Sequence, residues 1–71
     1  MDKNHFANIL NLSVLRHLYD YMMENDIVDL TDTDDSYVTR HMARLDCFSR
    51  ADVRTKHNDL AVKLGFEDKK L

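Results

Sequence analysis

An all-α fold is what this chain predicts, and three features carry that prediction. Its 71 residues include no proline and a single glycine, Gly65, which leaves few sites for the tight turns that join strands. Apolar residues recur at helical spacing and never alternate for long. One stretch, Phe6 to Met23, reads as an amphipathic helix with more apolar surface than one neighbour can cover. Together they describe a small three-helix domain, a single unit over residues 1–71, with a long N-terminal amphipathic helix through which two copies dimerise.

The first helix is expected over residues 5–25, behind a short leader in which Asp2 or Asn4 supplies the N-cap. At about 100° per residue, Leu10, Tyr21, Val14, Ala7, Leu18, Met22, Leu15, Tyr19, Leu12 and Met23 sweep roughly 220° of its surface. Arg16, Asp20, Ser13, Glu24 and His17 share the rest. A helix docked on one neighbour needs an apolar stripe of only a little over ~100°. Another copy of the chain can supply the second cover, with Leu10, Val14, Leu18, Tyr21 and Met22 as the expected interface. Asn8 and Asn11 also fall within the apolar arc, where an unpartnered amide costs about 1–3 kcal/mol. They either meet across a symmetry axis, as a buried Asn does in coiled coils, or sit near a frayed end in water.

Asn25-Asp26 stops this helix. Ile27-Val28-Asp29-Leu30 is too short for an independent strand and is expected as an extended segment or single turn pressed onto the core. Thr31 to Ser36 is the clearest connection, with Asp34 or Asp35 capping a second helix over residues 35–48. As a calcium loop it fits only at its start. Asp32, Asp34 and Ser36 match the first ligand positions, but Tyr37 stands where the turn needs Gly and Ala43 where a bidentate Glu is needed.

Helix two places Tyr37, Val38, Met42, Leu45 and Phe48 on one arc around His41, with Arg40 and Arg44 on the flank and Cys47 pointing away from that arc. Ser49 and Asp52 form a capping box that opens a third helix over residues 50–64. Its inner stripe is Val53, His57, Leu60, Ala61 and Leu64, and Asp52–Lys56 and Asp59–Lys63 are favourable i,i+4 pairs on the outer face. Gly65 closes it, with Phe66 packing back. Residues 67–71 are expected to be a flexible tail.

The formal charge of −3 hides an asymmetry. Residues 1–37 carry two basic side chains against eight acidic ones, a balance of −6, whereas residues 38–66 carry six against three, a balance of +3. A dipolar chain of this kind can steer a charged partner or pair head to tail with itself. Cys47 is the only cysteine, so no disulfide forms within the chain. The free thiol and the lack of a long apolar run or signal segment point to a cytoplasmic protein. With Met1 and no tag, a complete gene product is expected.

Catalysis finds no footing. His5, His17, His41 and His57 match no metal-site spacing, and one Gly allows no phosphate-cradling loop. No enzymatic activity, metal or cofactor is expected. His41 and His57 fall mid-stripe on facing helices, where two imidazoles can share a metal or act as a proton-sensitive pair, or else stand as core-edge residues bonding nearby carbonyls.

Asn58 to Phe66 resembles the first helix and turn of a helix-turn-helix, through Leu60, Ala61, Leu64, Gly65 and Phe66. The resemblance implies a helix in the major groove, which here would begin at the acidic pair Glu67-Asp68. Arg40, Arg44, Arg50 and Arg54 are expected to share a patch around the joint between helices two and three, suited to phosphate or to acidic residues of a protein. In profile, the chain resembles the small accessory proteins of phages and mobile elements that bind and inhibit a host enzyme or defence component. That resemblance implies an anti-defence or host-takeover role. The expectation is therefore a non-catalytic, protein-binding homodimer that inhibits or modulates a host protein. Arg40, Arg44, Arg50, Arg54, Asp32, Asp34 and Asp35 are its partner-binding residues. The alternative is a small nucleic-acid-binding transcriptional regulator with a truncated helix-turn-helix-like C-terminal half. A membrane partner is not expected.

Overall fold

The computed structural model describes residues 3–71 and is all-α. Helix α1 spans Lys3–Glu24, α2 spans Ser36–Arg44 and α3 spans Arg50–Lys63, with 3₁₀ turns at Leu30–Asp32 and Glu67–Lys69. Among the described residues there is no strand, only one isolated antiparallel bridge between Asp29 and Ser49. No helix among them is long and apolar enough to cross a membrane. The proposed cap Asp2 lies outside the described residues, and Asn4 sits in the first turn of α1 rather than before it.

Helix α3 runs antiparallel along α1: Tyr19 shares a groove with Ala51 and Arg54, and Asn8 shares one with Lys63. Helix α2 crosses α1 near its C-terminal half, where Asp35 meets Tyr21, and ends where Arg44 reaches Asn11. The core between the three is built from Leu15, Leu18 and Met22 of α1, Val38 and Met42 of α2 and Val53 of α3, closed by Ile27, Leu45 and Cys47 from the connections. Leu18, Met22, Val38, Met42 and Val53 have no exposed surface. Truncating one of the larger of them to Ala should cost about 2–5 kcal/mol, the transfer and cavity terms together.

All three helices end in the same way. Asp26, Asp46 and Gly65 adopt φ of 55°, 58° and 83°, and the amide after each bonds back to the carbonyl five residues earlier: Ile27 to Met22 at 2.9 Å, Cys47 to Met42 at 2.8 Å and Phe66 to Ala61 at 2.7 Å. These are Schellman caps, which satisfy carbonyls the helix leaves unpaired. At the first two the chain then repeats itself. Asp29 and Ser49 are N-caps, and both close capping boxes with the acid three residues on, Asp32 and Asp52. The two units, residues 22–32 and 42–52, are joined back to back by Leu30 N–H to Phe48 carbonyl at 3.1 Å and Arg50 N–H to Val28 carbonyl at 2.7 Å. A local two-fold therefore relates the connections on either side of α2.

This repeat changes helix two. It stops at Arg44, short of the expected residue 48, because Asp46 turns left-handed and the capping box needs residues 48 and 49 extended. Cys47, expected to point away, is consequently buried in the core, and Phe48, expected inside, is 67% exposed. Residues 67–71 are also not a loose tail. After the 3₁₀ turn the chain folds back on α3, where Asn58 accepts from the Leu71 amide at 2.7 Å and donates to its backbone oxygen at 3.2 Å.

Candidate protein-binding face

Where α2 and α3 cover α1 decides what that helix has left to offer. Leu15, Leu18 and Met22 lie beneath them and are buried within the chain. Leu18 and Met22 therefore leave the expected interface between copies, because their own protomer already encloses them. What remains is the outward strip of α1. Phe6 is 54% and Leu10 50% exposed, and Val14 and Tyr21 are half-buried.

At the C-terminal end of this strip Tyr37 of α2 packs edge-on against Tyr21, with ring centroids 5.1 Å apart at 63°, and His41 packs edge-on against Tyr37 at 4.8 Å and 74°. The Tyr21 hydroxyl donates to the Asp35 carboxylate, which also accepts the Tyr37 amide at 2.9 Å as N-cap of α2. The Tyr21 bond raises that phenol above its ordinary pKa, helped by partial burial, and the same two bonds hold Asp35 below the ordinary carboxylate value. The outcome is an aromatic shelf fixed in place by a carboxylate.

The arginines do not form the single patch expected. Arg50 donates to the Ile27 carbonyl at 3.4 Å and Arg54 to the Leu71 backbone oxygen at 3.3 Å, and the two line a groove with Tyr19 and Val28. Arg44 instead donates to Asn11 on α1 at 3.4 Å, while Arg40 is exposed on α2. Asn11 thus has a partner within its own chain and need not meet a symmetry mate. Beside it, Asn8 lines a groove with Lys56 and Lys63, and the Lys56 ammonium donates to the Leu45 carbonyl at 2.6 Å.

The acidic connection is likewise engaged inside the chain. One Asp32 oxygen accepts from the Val28 and Asp29 amides at 3.0 and 3.2 Å. Asp29 bonds the amide and hydroxyl of Thr31, which lowers its pKa. With Asp35 held by Tyr21, Asp34 is the one of the three expected acidic contacts whose carboxylate has no such structural role among the described residues.

The groups that could carry chemistry are dispersed. Cys47 is buried, which pushes its thiol pKa up, away from the nucleophilic thiolate. His57 is buried and pairs Nδ1 with the Asn58 amide oxygen at 3.1 Å, while His41 packs edge-on against Tyr37, so the two imidazoles have different neighbours. Among the described residues no three His, Cys, Asp or Glu side chains converge as a metal site would need. Past Gly65, where a recognition helix would begin, stands the 3₁₀ turn Glu67–Lys69.

Two residues of the strip, Phe6 and Tyr37, are missing from the expected interface. The sequence holds a signal for the first: Phe6, Leu10 and Val14 recur every four residues, one helix face. Tyr37 has no such signal, since its place beside Tyr21 depends on how α2 docks. Comparison with known proteins gives no matching family model, curated protein or solved structure.

Proposed function

We propose that this protein works by binding other protein chains rather than by catalysis. In this reading it is a homodimer formed through the outer strip of α1, and it inhibits or modulates a host enzyme or defence component as small accessory proteins of phages and mobile elements do. The observation that carries the reading is the strip itself: Phe6, Leu10, Val14 and the Tyr21–Tyr37 shelf lie along one side of the longest helix. Exposed apolar residues gathered on one helix face, here interrupted by His17 alone between Val14 and Tyr21, suit an interaction site. The buried Cys47 and the separately engaged histidines favour binding over chemistry. The arginine bonds to backbone oxygens and the acidic turn after Gly65 give the nucleic-acid alternative less support.

Light scattering across a size-exclusion peak tests the dimer, which should report twice the chain mass of 8.4 kDa. Leu10→Asp should return it to one chain mass without loss of helicity, because Leu10 is half-exposed in the protomer. A wild-type protein that remains monomeric at high micromolar concentration would refute self-association. A host protein captured by the wild type should be retained or lost according to whether it binds elsewhere or on this strip.

A further inference from the structure

We infer that the second copy docks antiparallel on α1, with Phe6 of one protomer seated against the Tyr21–Tyr37 shelf of the other and Lys3 beside the partner's Glu24. This rests on the dimer reading above and adds its direction. At about 100° per residue Lys3, Phe6, Leu10, His17, Tyr21 and Glu24 fall within roughly 60° of helix surface. Their order is a palindrome. Counting inward from Lys3 the steps are three and four residues, to Phe6 and Leu10; counting inward from Glu24 they are again three and four, to Tyr21 and His17. A two-fold axis between Ser13 and Val14 therefore superposes Lys3 on Glu24, Phe6 on Tyr21 and Leu10 on His17.

That operation sets a cation on a carboxylate at the ends, an aromatic ring on the aromatic shelf next to them, and Leu10 on the His17 ring nearest the axis. Glu24, Asp26 and Asp34 are exposed at the C-terminal end of α1, and antiparallel docking keeps the two acidic ends apart. Parallel docking would place Lys3 on Lys3, Glu24 on Glu24 and two acidic ends together, which like-charge repulsion disfavours.

Cysteine trapping separates the direction from the dimer itself. Lys3 and Glu24 are exposed, and 21 residues of helix put them about 30 Å apart in one chain. A bond between positions 3 and 24 must then join two chains, since a disulfide needs Cα atoms within about 7 Å. Lys3→Cys and Glu24→Cys proteins, each with the buried Cys47 in place and wild type as background, are oxidised alone and mixed. The expected result is a mixed disulfide dimer, identified by mass, in the mixture and little linkage in either alone. Linkage of each variant with itself overturns the antiparallel direction in favour of a parallel one. No linkage while light scattering still reports a dimer overturns this register and leaves the dimer standing. A monomer throughout overturns the dimer reading on which it rests. As an independent check, Lys3→Glu should weaken the dimer about three- to tenfold at low salt and added Glu24→Lys should restore it; failure of that rescue in a dimeric protein also overturns the pairing.

Discussion

Asp52 does at the head of α3 what Asp32 does twenty residues earlier. In both, one carboxylate oxygen accepts from two consecutive backbone amides, at 3.0 and 3.2 Å: Val28 and Asp29 in one unit, Phe48 and Ser49 in the other. The bridge between Asp29 and Ser49 then ties the two units together. Asp52→Ala should destabilise the chain by about 1 kcal/mol, the usual loss for a helix cap. In a domain of this size that lowers the melting temperature by about 4–8 °C. Because the units share the bridge, Asp32→Ala combined with Asp52→Ala should depart from the sum of the two single losses, which a double-mutant cycle reads directly. Strict additivity would mean that the units are stabilised independently.

Asp46 and Gly65 occupy the same cap position with opposite chemical suitability. Left-handed backbone costs an L-residue roughly 1–2 kcal/mol, which glycine does not suffer. A Cβ at Gly65 would meet no atom within 4 Å. The effect of Gly65→Ala is thus backbone strain alone, a loss of about 1 kcal/mol. Asp46→Gly should go the other way, raising stability by about 0.5–1 kcal/mol after the extra freedom of glycine in the unfolded chain is subtracted. Thermal melts of the two variants should move in opposite directions.

The Tyr21–Asp35 contact sets stability at both ends of the pH scale. Asp35 and Asp29 are held below the ordinary 3.8 by their hydrogen bonds. Their contribution is fully present above that value and is lost as pH falls below about 4, where the unfolded chain takes up protons first. Tyr21 is raised from 10.0, so its contribution is present below about pH 10 and is lost as pH rises beyond it. Tyr21→Phe should remove the alkaline fall in melting temperature and flatten the acid one. A variant that follows the wild type at both ends would show that the contact is absent in solution.

His41 keeps Nδ1 buried with no hydrogen-bond partner among the described residues. A buried polar nitrogen without a partner is destabilising, whether its tautomer makes it donor or acceptor. His41→Phe removes it and retains an edge-on ring against Tyr37, so the melting temperature should stay level or rise by a few degrees, about 1 kcal/mol or less. A fall of several degrees would indicate that Nδ1 is in fact bonded.

Much of this fold was legible because it is local. The Ser49–Asp52 capping box and the glycine that closes α3 are patterns of neighbouring residues, and each produces its structure wherever it occurs. The end of α2 is not legible in the same way, because Asp is a weaker left-handed signal than Gly and Asp46 does not read as a stop. A clue lay in the repeat itself: Met22, Asp26, Asp29 and Asp32 recur as Met42, Asp46, Ser49 and Asp52, with apolar pairs Ile27-Val28 and Cys47-Phe48 at matching places. Once that register is seen, the first unit's stop at Asp26 predicts the second at Asp46.

Composition and spacing by themselves determined an all-α chain of three helices and an apolar arc on α1. Only the tertiary structure decided how that arc is divided, because the division depends on where α2 and α3 dock. Leu18 and Met22 went to the core, while Phe6, Leu10 and the shelf made by Tyr21 with Tyr37 stayed outside. The charges followed the same logic. Their number and order are properties of the sequence, but Arg50, Arg54 and Asp35 were drawn to backbone and side-chain partners that folding alone brings within hydrogen-bond reach.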